Sequence, residues 1–433
     1  MRFSSLSDWL SWQETLHPNE IELGLERVKR VWDFMQPNQL NVPVIAVAGT
    51  NGKGSSIAFL QSMYLAAGYR VGTYTSPHLY CYNERICIDG CAVDDADLMR
   101  AFEHIDKIRG ETSLTYFEFG TLAALSIFAL AMRSDKPLDV MLLEVGLGGR
   151  LDAVNIIDAD LALVTSIDLD HQNWLGDNRE QIGKEKAGIF RENKLCVISD
   201  PDIPSSVEEH AIRCNCTRYF TGRDFSYSES SGQWDWNGQV LDKHINKSAL
   251  PIPALNGQQQ LQNASGAMMV LAALNNVLPV SLQAIRQGLL NAKLAGRFEI
   301  RQNKITTVLD VAHNPASSQM LAKTLADYIR RNNGGGQIRC LFSVMADKDI
   351  TGVLMPMMSL CQRWSIAPVQ HPRSASASNI KSILHKLNPE NQVVCHDSVA
   401  QAYRQLVAIS EPEDTIVVFG SFYAVAEAGA LTV

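Results

Sequence analysis

The sequence predicts an α/β protein of two parts, each a parallel sheet with crossover helices. Three observations predict it. Short apolar, β-branched runs alternate with helical stretches, the pattern of strands joined through helices. The first clear run, PVIAVAG at 43–49, leads straight into a glycine-rich loop and a helix-forming stretch. A second alternating series opens after LAGRFEI at 294–300 and suits a compact doubly wound domain. With 433 residues, 46% of them hydrophobic, the chain is too long for one core and has apolar content for two or three.

The N-terminal stretch MRFSSLSDWLSWQETLH is polar and helix-like, without the basic-then-apolar pattern of a signal peptide. The runs 43–49, 138–146 (LDVMLLEVG) and 160–167 (DLALVTSI) are apolar nearly throughout, as strands covered on both faces should be. A helix is expected from about Gly54 to Ala67, with Gly68 as its C-cap. The longest apolar stretch, LAALSIFALAM at 122–132, falls short of the about 20 residues that cross a bilayer, so the chain is read as cytoplasmic with no membrane partner. SYSESSGQWDWNGQ at 226–239 reads as a hairpin or surface loop. The second series runs through ITTVLDVAHN, IRCLFSVMADKD, RWSIAPV, QVVCHDSVAQAY and DTIVVFGSF, with the boundary between the two parts near Leu294 to Gly296. A net charge of −8, with no local basic stripe, argues against nucleic acid. Among the nine cysteines there is no C-x-x-C, and the spacings of Cys81, Cys87 and Cys91 near His78 do not suit zinc; reduced, packed thiols are expected.

The first chemical signal is VAGTNGKGSS at 47–56. In the P-loop pattern G-x-x-x-x-G-K-[ST], backbone N–H groups cradle phosphates, the Lys reaches the β and γ oxygens, and the next hydroxyl holds Mg²⁺. Gly49, Gly52 and Gly54 surround Lys53 at a helix start, where amides and dipole favour an anion, yet the residue after Lys53 is Gly54. Two residues are candidates for the missing hydroxyl. Ser55 stands one position late; Ser76, in the turn of YTSPHLYCYNER (74–85) just past a strand-like run, is preferred. Glu144 ends a buried strand in LLEVGLGGRLDAVN at 142–155, where an unpaired carboxylate is very costly. It must meet a cation: a metal ion or, as the plainer alternative, Arg150. TSIDLDHQNWLG at 165–176 puts Asp168, Asp170 and His171 beyond the next strand. Ligands in open parallel sheets bind beyond the carboxyl ends of the strands, so three strand ends aim polar groups at one crevice. Mg²⁺ prefers oxygen donors, so His171 on its own reads equally as a hydrogen-bonded neighbour of the metal shell.

Taken in order, GTNGKGSS, TSPHL, EVGLGGRLDAVNI, DHQNWLG, IGKEKAGIFR, GRFEI and DVAHNPAS resemble the bacterial folylpolyglutamate synthase/dihydrofolate synthase family, a relative of the Mur ligases, over nearly the whole chain. The resemblance implies a P-loop, Mur-ligase-like N-terminal domain with a parallel sheet, residues 1–294, and a smaller Rossmann-like glutamate-ligase domain, residues 297–433. It implies Ser76, Glu144 and His171 as metal ligands, and makes Lys186 a lysine that CO₂ converts to a carbamate serving a second metal ion. By sequence alone Lys186 reads as a solvated surface charge. The nucleotide falls to Asn51, Gly52, Lys53, Gly54 and Ser55 and to Asn263, Arg297, Asp310 and His313, with Lys53, Lys186 and His313 catalytic. The pterin falls to Leu23, Gly24, Leu25, Tyr116, Phe117, Glu118, Arg150 and Asp152, with Phe117 stacking on the ring. Core packing at a strand-to-helix junction is the plain alternative for Phe117 and Glu118.

The implied reaction is ATP-dependent amide formation by a carbon–nitrogen ligase. The substrate carboxylate becomes an acyl phosphate, which the amino group of L-glutamate attacks. Acceptors would be dihydropteroate and reduced folates, cofactors ATP and two Mg²⁺ ions, with Mn²⁺ a replacement and a monovalent cation a further candidate; a monomer is expected. Two other readings stand beside it. A Mur-type amino-acid ligase would need a uridine-nucleotide site, for which the few dozen residues before the loop leave little room. A non-enzymatic P-loop nucleotide switch would leave DVAHN and KEKAG without a job. Val311 stands where many relatives carry Gly, and SVMADKD at 343–349 also departs from the pattern, so no glutamate-site residue is named.

Overall fold

The structure is a computed structural model that describes residues 2–35, 40–332, 336–361 and 363–432. The chain divides into two compact units: Met1–Ala254 with Leu261–Ala292, and Leu255–Gln260 with Lys293–Val433. Each is considered by itself.

The first unit is built on eight strands: β1 (Val44–Ala48), β2 (Val71–Tyr74), β3 (Ile86–Ile88), β4 (Cys91–Ala92), β5 (Val140–Glu144), β6 (Leu161–Val164), β7 (Leu195–Ile198) and β8 (Thr217–Phe220), in the order β4-β3-β2-β5-β1-β6-β7-β8. β2, β5, β1, β6, β7 and β8 run parallel. The expected runs at 43–49, 138–146 and 160–167 are β1, β5 and β6, buried at every position. Between β2 and β3 lie only the residues 75–85. That is too few for the crossover a parallel partner needs, so β3 and β4 close the edge antiparallel. A three-stranded antiparallel sheet follows, β9 (Phe225–Ser230), β10 (Gln233–Val240) and β11 (Lys243–Pro251), in the order β11-β10-β9. This corrects the surface-loop alternative for 226–239. Both Trp234 and Trp236 are 1% exposed, and their indole N–H groups donate to the carbonyls of Pro251 and Ser265.

The second unit holds β12 (Glu299–Gln302), β13 (Thr306–Leu309), β14 (Ile338–Phe342), β15 (Arg363–Ile366), β16 (Gln392–Cys395) and β17 (Thr415–Phe419), in the order β12-β13-β17-β14-β15-β16. All pairs are parallel except β12 with β13, where three intervening residues permit only a hairpin. Of the nine free cysteines, Cys81, Cys91 and Cys395 are exposed rather than packed. No helix among the described residues is long and apolar enough to cross a membrane.

The helix Lys53–Ala66 carries the phosphate-loop lysine at its first position and is backed by the helix Leu282–Asn291. At the crossing, a β-carbon on Gly288 would lie 2.6 Å from Met63 Cα and 2.7 Å from its nitrogen. Backbone cannot retreat as a flexible side chain can. Gly288→Ala is therefore expected to destabilise the protein by about 1–3 kcal/mol despite the better helix propensity of alanine. Urea unfolding checks it as a lower midpoint at unchanged slope; an equal or higher midpoint means that the helices separate freely.

Candidate active site

Because β1, β2, β5 and β6 are parallel neighbours, the segments that follow them leave the sheet at one edge: 49–53, 75–82, 145–152 and 165–171. The first turns sharply at Gly52, whose φ of +88° suits glycine and whose β-carbon would run into the Asn263 side-chain oxygen. The loop is held from the end of β6. Thr165 Oγ1 donates to Asn51 O at 2.7 Å, Ser166 Oγ to Asn51 O at 3.0 Å, and Thr50 N to Ser166 O at 2.6 Å. The Lys53 ammonium arches back to donate to Gly49 O at 2.9 Å and Thr50 O at 3.3 Å, over the bare N-terminus of a 14-residue helix with no side-chain cap. Three features suit a polyanion: a left-handed glycine, a close-packed Asn263 and an uncapped dipole.

Glu144 closes β5 at 5% exposure, and its Oε2 accepts from Ser76 N at 3.1 Å. The alternative partner is set aside: Arg150 donates instead to Glu185 through Nε at 3.1 Å and Nη2 at 2.9 Å. Ser55 is buried in the first turn of the helix, whereas Ser76 is half-buried in the turn beside Glu144. His171 is exposed, has φ +50°, and lies 3.9 Å from the Asp170 carboxylate. Among the described residues no three His, Cys, Asp or Glu side chains gather as a metal group. Of the proposed donors only Glu144 and His171 belong to those residue types, the others being a hydroxyl and a lysine. A buried carboxylate beside a hydroxyl-bearing turn fits a hard cation.

Lys186, in the last turn of the helix Arg179–Ala187, is only 4% exposed. This corrects the solvated reading. Burial pushes its pKa down to about 7, with repulsion from Lys53 adding to the fall and Asp170 and Asp152 opposing it. The helix end is seated by backbone: Arg150 N donates to Glu185 O at 2.8 Å, and a β-carbon on Gly149 would lie 2.6 Å from Glu185 O and 2.8 Å from Lys186 O. Asp152 is buried too. Desolvation raises its pKa to about 7, against the N–H groups of Leu147, Val154 and Gly146 and the charge of Lys53.

The residues assigned to the pterin flank the same edge. Gly24 N donates to Leu151 O at 3.3 Å, tying 23–25 to the loop after β5. Tyr116 meets Tyr82 edge-on at 5.6 Å, and Phe117 lies 6.0 Å from Tyr74 with its ring over Gly146. Glu118 is engaged in the protein itself, accepting from Thr115 N at 2.8 Å and from Arg27 Nη2 at 3.2 Å.

In the second unit Arg297, Asp310 and His313 come together. Asp310 is shielded, its carboxylate accepts from Phe298 N and Ala312 N at 2.8 Å each, and burial raises its pKa while Arg297 lowers it. Phe422, which sequence reasoning passed over, packs 5.7 Å from the Arg297 guanidinium and 6.0 Å from the His313 ring. Its signal was the end of VVFGSF, a strand running into a turn.

The fold and this edge define a class, an α/β protein of two units with a phosphate-binding loop at the edge of its parallel sheet. Residues 296–422 match the family of the Mur ligase glutamate ligase domain. The dihydrofolate synthase/folylpolyglutamate synthase of Escherichia coli (strain K12) is 41% identical over 423 residues, 98% of this chain and 94% of that protein. That of Haemophilus influenzae is 36% identical over 444 residues, 98% of this chain and 97% of the other. Among solved structures, Escherichia coli FolC in complex with DHPP and ADP matches with a TM-score of 0.89 at 40% identity, covering 99% of this chain and 97% of that one. The bifunctional Yersinia pestis protein complexed with AMPPNP and Mn ion matches at 0.87 and 41%, covering 99% and 98%. The chain belongs to the dihydrofolate synthase/folylpolyglutamate synthase family, whose members are acid–amino-acid ligases. The nucleotide-switch reading is thereby set aside.

A buried lysine with a depressed pKa makes stability depend on pH. Below pH 7 both folded and unfolded chains hold the proton and the folded state bears the full burial cost. Between pH 7 and 10.5 only the unfolded chain keeps it, so stability rises with pH. Relative to Lys186→Met, the wild type should gain up to roughly 1.4 kcal/mol per pH unit above pH 7 in metal-free, CO₂-free buffer. Urea unfolding at pH 6 and pH 9 measures it. A constant difference means that Lys186 stays protonated throughout.

Proposed function

We propose that the chain joins L-glutamate to dihydropteroate and to the γ-carboxylate of reduced folates, using ATP and a divalent metal. The observation that carries this is the convergence of Lys53, Lys186, Glu144 and Ser76 at one sheet edge, in a chain similar over its full length to such ligases. The acceptor carboxylate oxygen attacks the γ-phosphorus, the bond to the bridging oxygen of ADP breaks, and an acyl phosphate forms. The glutamate nitrogen then bonds to the acyl carbon, loses a proton, and phosphate departs with the carboxylate's oxygen.

The loop amides and Lys53 bind and orient the triphosphate, whose charge must be offset where water is scarce. Ser76, Glu144, His171 and Lys186 would hold the metal ions; bound Mg²⁺, or Mn²⁺ in its place, supplies further neutralisation of phosphate charge. A neutral amine at Lys186 is the form that takes up CO₂, and the resulting carbamate offers oxygens where an ammonium offers none. Asn263, whose side chain lies beside Gly52, is assigned to the nucleotide with Arg297, Asp310 and His313, the last also catalytic. Leu23, Gly24, Leu25, Tyr116, Phe117, Glu118, Arg150 and Asp152 are assigned to the pterin side, Phe117 as the stacking ring and Glu118 and Arg150 through the segments they anchor. The protein works as a cytoplasmic monomer.

With ¹⁸O in the acceptor carboxylate, label is expected in the released phosphate for both acceptors, and Lys53→Ala should abolish both reactions. Product amide formed with no label in phosphate would overturn the acyl-phosphate route.

A further inference from the structure

The stretch YTSPHLYCYNER supplies Ser76, but its closing residues have no part in the reaction as described. Glu84 sits in the short turn Tyr82–Arg85 that leads into β3. Its carboxylate accepts three consecutive backbone N–H groups: Leu79 N on Oε2 at 2.7 Å, and Tyr80 N and Cys81 N on Oε1, each at 2.9 Å. Bonds to an ionised acceptor are about twice as strong as neutral ones. The folded segment is pinned at its start by Ser76 N on Glu144 and by Thr75 N on Arg85 O at 2.8 Å. Arg85, the next residue, is buried. Its Nε donates to His78 Nδ1 at 2.8 Å, and its guanidinium lies 5.2 Å from the Tyr82 ring and 5.5 Å from that of Tyr116. One end of the turn thus touches the proposed metal ligands and the other the proposed pterin wall. Between them the chain has no strand ladder, and the Glu84 carboxylate holds it.

We infer that Glu84 is a positioning residue for the ligase reaction, its carboxylate fixing the 76–82 turn so that Ser76 stays beside Glu144 and Tyr82 against Tyr116. What the turn serves rests on the function proposed above; the carboxylate's grip on the three amides does not. Positioning of this kind acts on rate because a small displacement of reacting groups is costly.

The test uses the full chain. Glu84→Ala removes a methylene and a carboxylate, a space the size of acetate. Acetate is expected to raise the unfolding temperature of Glu84→Ala saturably while leaving the wild type unmoved, and to lift the variant's ligase rate several-fold where chloride at equal ionic strength does not. Glu84→Gln keeps one oxygen for Tyr80 and Cys81 but turns an amide N–H₂ on Leu79 N. It should fold, lose roughly tenfold in kcat/KM and ignore acetate. Full activity in either variant overturns the inference, as does a folded Glu84→Ala that acetate neither stabilises nor reactivates. If Glu84→Ala does not fold, Glu84→Gln decides. A wild type without ligase activity would contradict the proposed function instead, and the thermal response to acetate would still decide whether the carboxylate holds the turn.

Discussion

Burial at the sheet edge drives the Lys186 ammonium toward its neutral form, and repulsion from Lys53 adds to it. Desolvation and a neighbouring like charge both favour the uncharged form of a lysine. Asp152 and Asp170 offset part of the charge, but Asp152 is itself desolvated and pushed toward its neutral form. Glu144 adds a buried carboxylate at the same edge, so the lysines and carboxylates there share one poorly hydrated site. Charged groups held out of water act more strongly than in it, which is what the proposed reaction would draw on.

The fold maintains that site by packing. Lys53 has little freedom, since its helix is backed at Gly288 and its loop is gripped from the end of β6 by Thr165 and Ser166. Lys186 is buried in a helix whose last turn is seated on Gly149 and hydrogen-bonded to Arg150 N. Asn155 Nδ2 joins the two segments again, donating to the carbonyls of Arg150 and Gly188 at 3.0 Å each. Sites carried by rigid elements hold their geometry better than sites carried by loops. Here the loops have been made rigid by backbone contacts to helices and strands.

Much of this was legible in the residues. The strands that end at Ala48 and Glu144 are buried on both faces, so they read as unbroken apolar runs, and the polar groups just beyond them marked the edge. What escaped was information carried by distant partners. Trp234 and Trp236 alternate with polar residues in a Gly- and Ser-rich stretch, and only the neighbouring Ser265 and Pro251 carbonyls show that they are inside. The helix around Lys186, REQIGKEKA, has no apolar face worth the name; the backbone of its last turn packs on the Gly149–Arg150 loop, which no local pattern records. Arg150 offered itself as partner for Glu144 by proximity in sequence, but the chain turns at Gly149 and delivers it to Glu185. The short connections before β3 and β13, by contrast, contained the reason for antiparallel pairing in their length.

On the function proposed above, Lys186 gives up its proton and takes up CO₂ to become a carbamate. ¹³C NMR of the protein equilibrated with ¹³C-bicarbonate and divalent metal addresses it without reference to turnover. A carbamate resonance in the wild type that is lost in Lys186→Met and weakens as pH falls below 7 is the predicted result. A wild type that shows no carbamate resonance beyond that of Lys186→Met at pH 7 and above would contradict it.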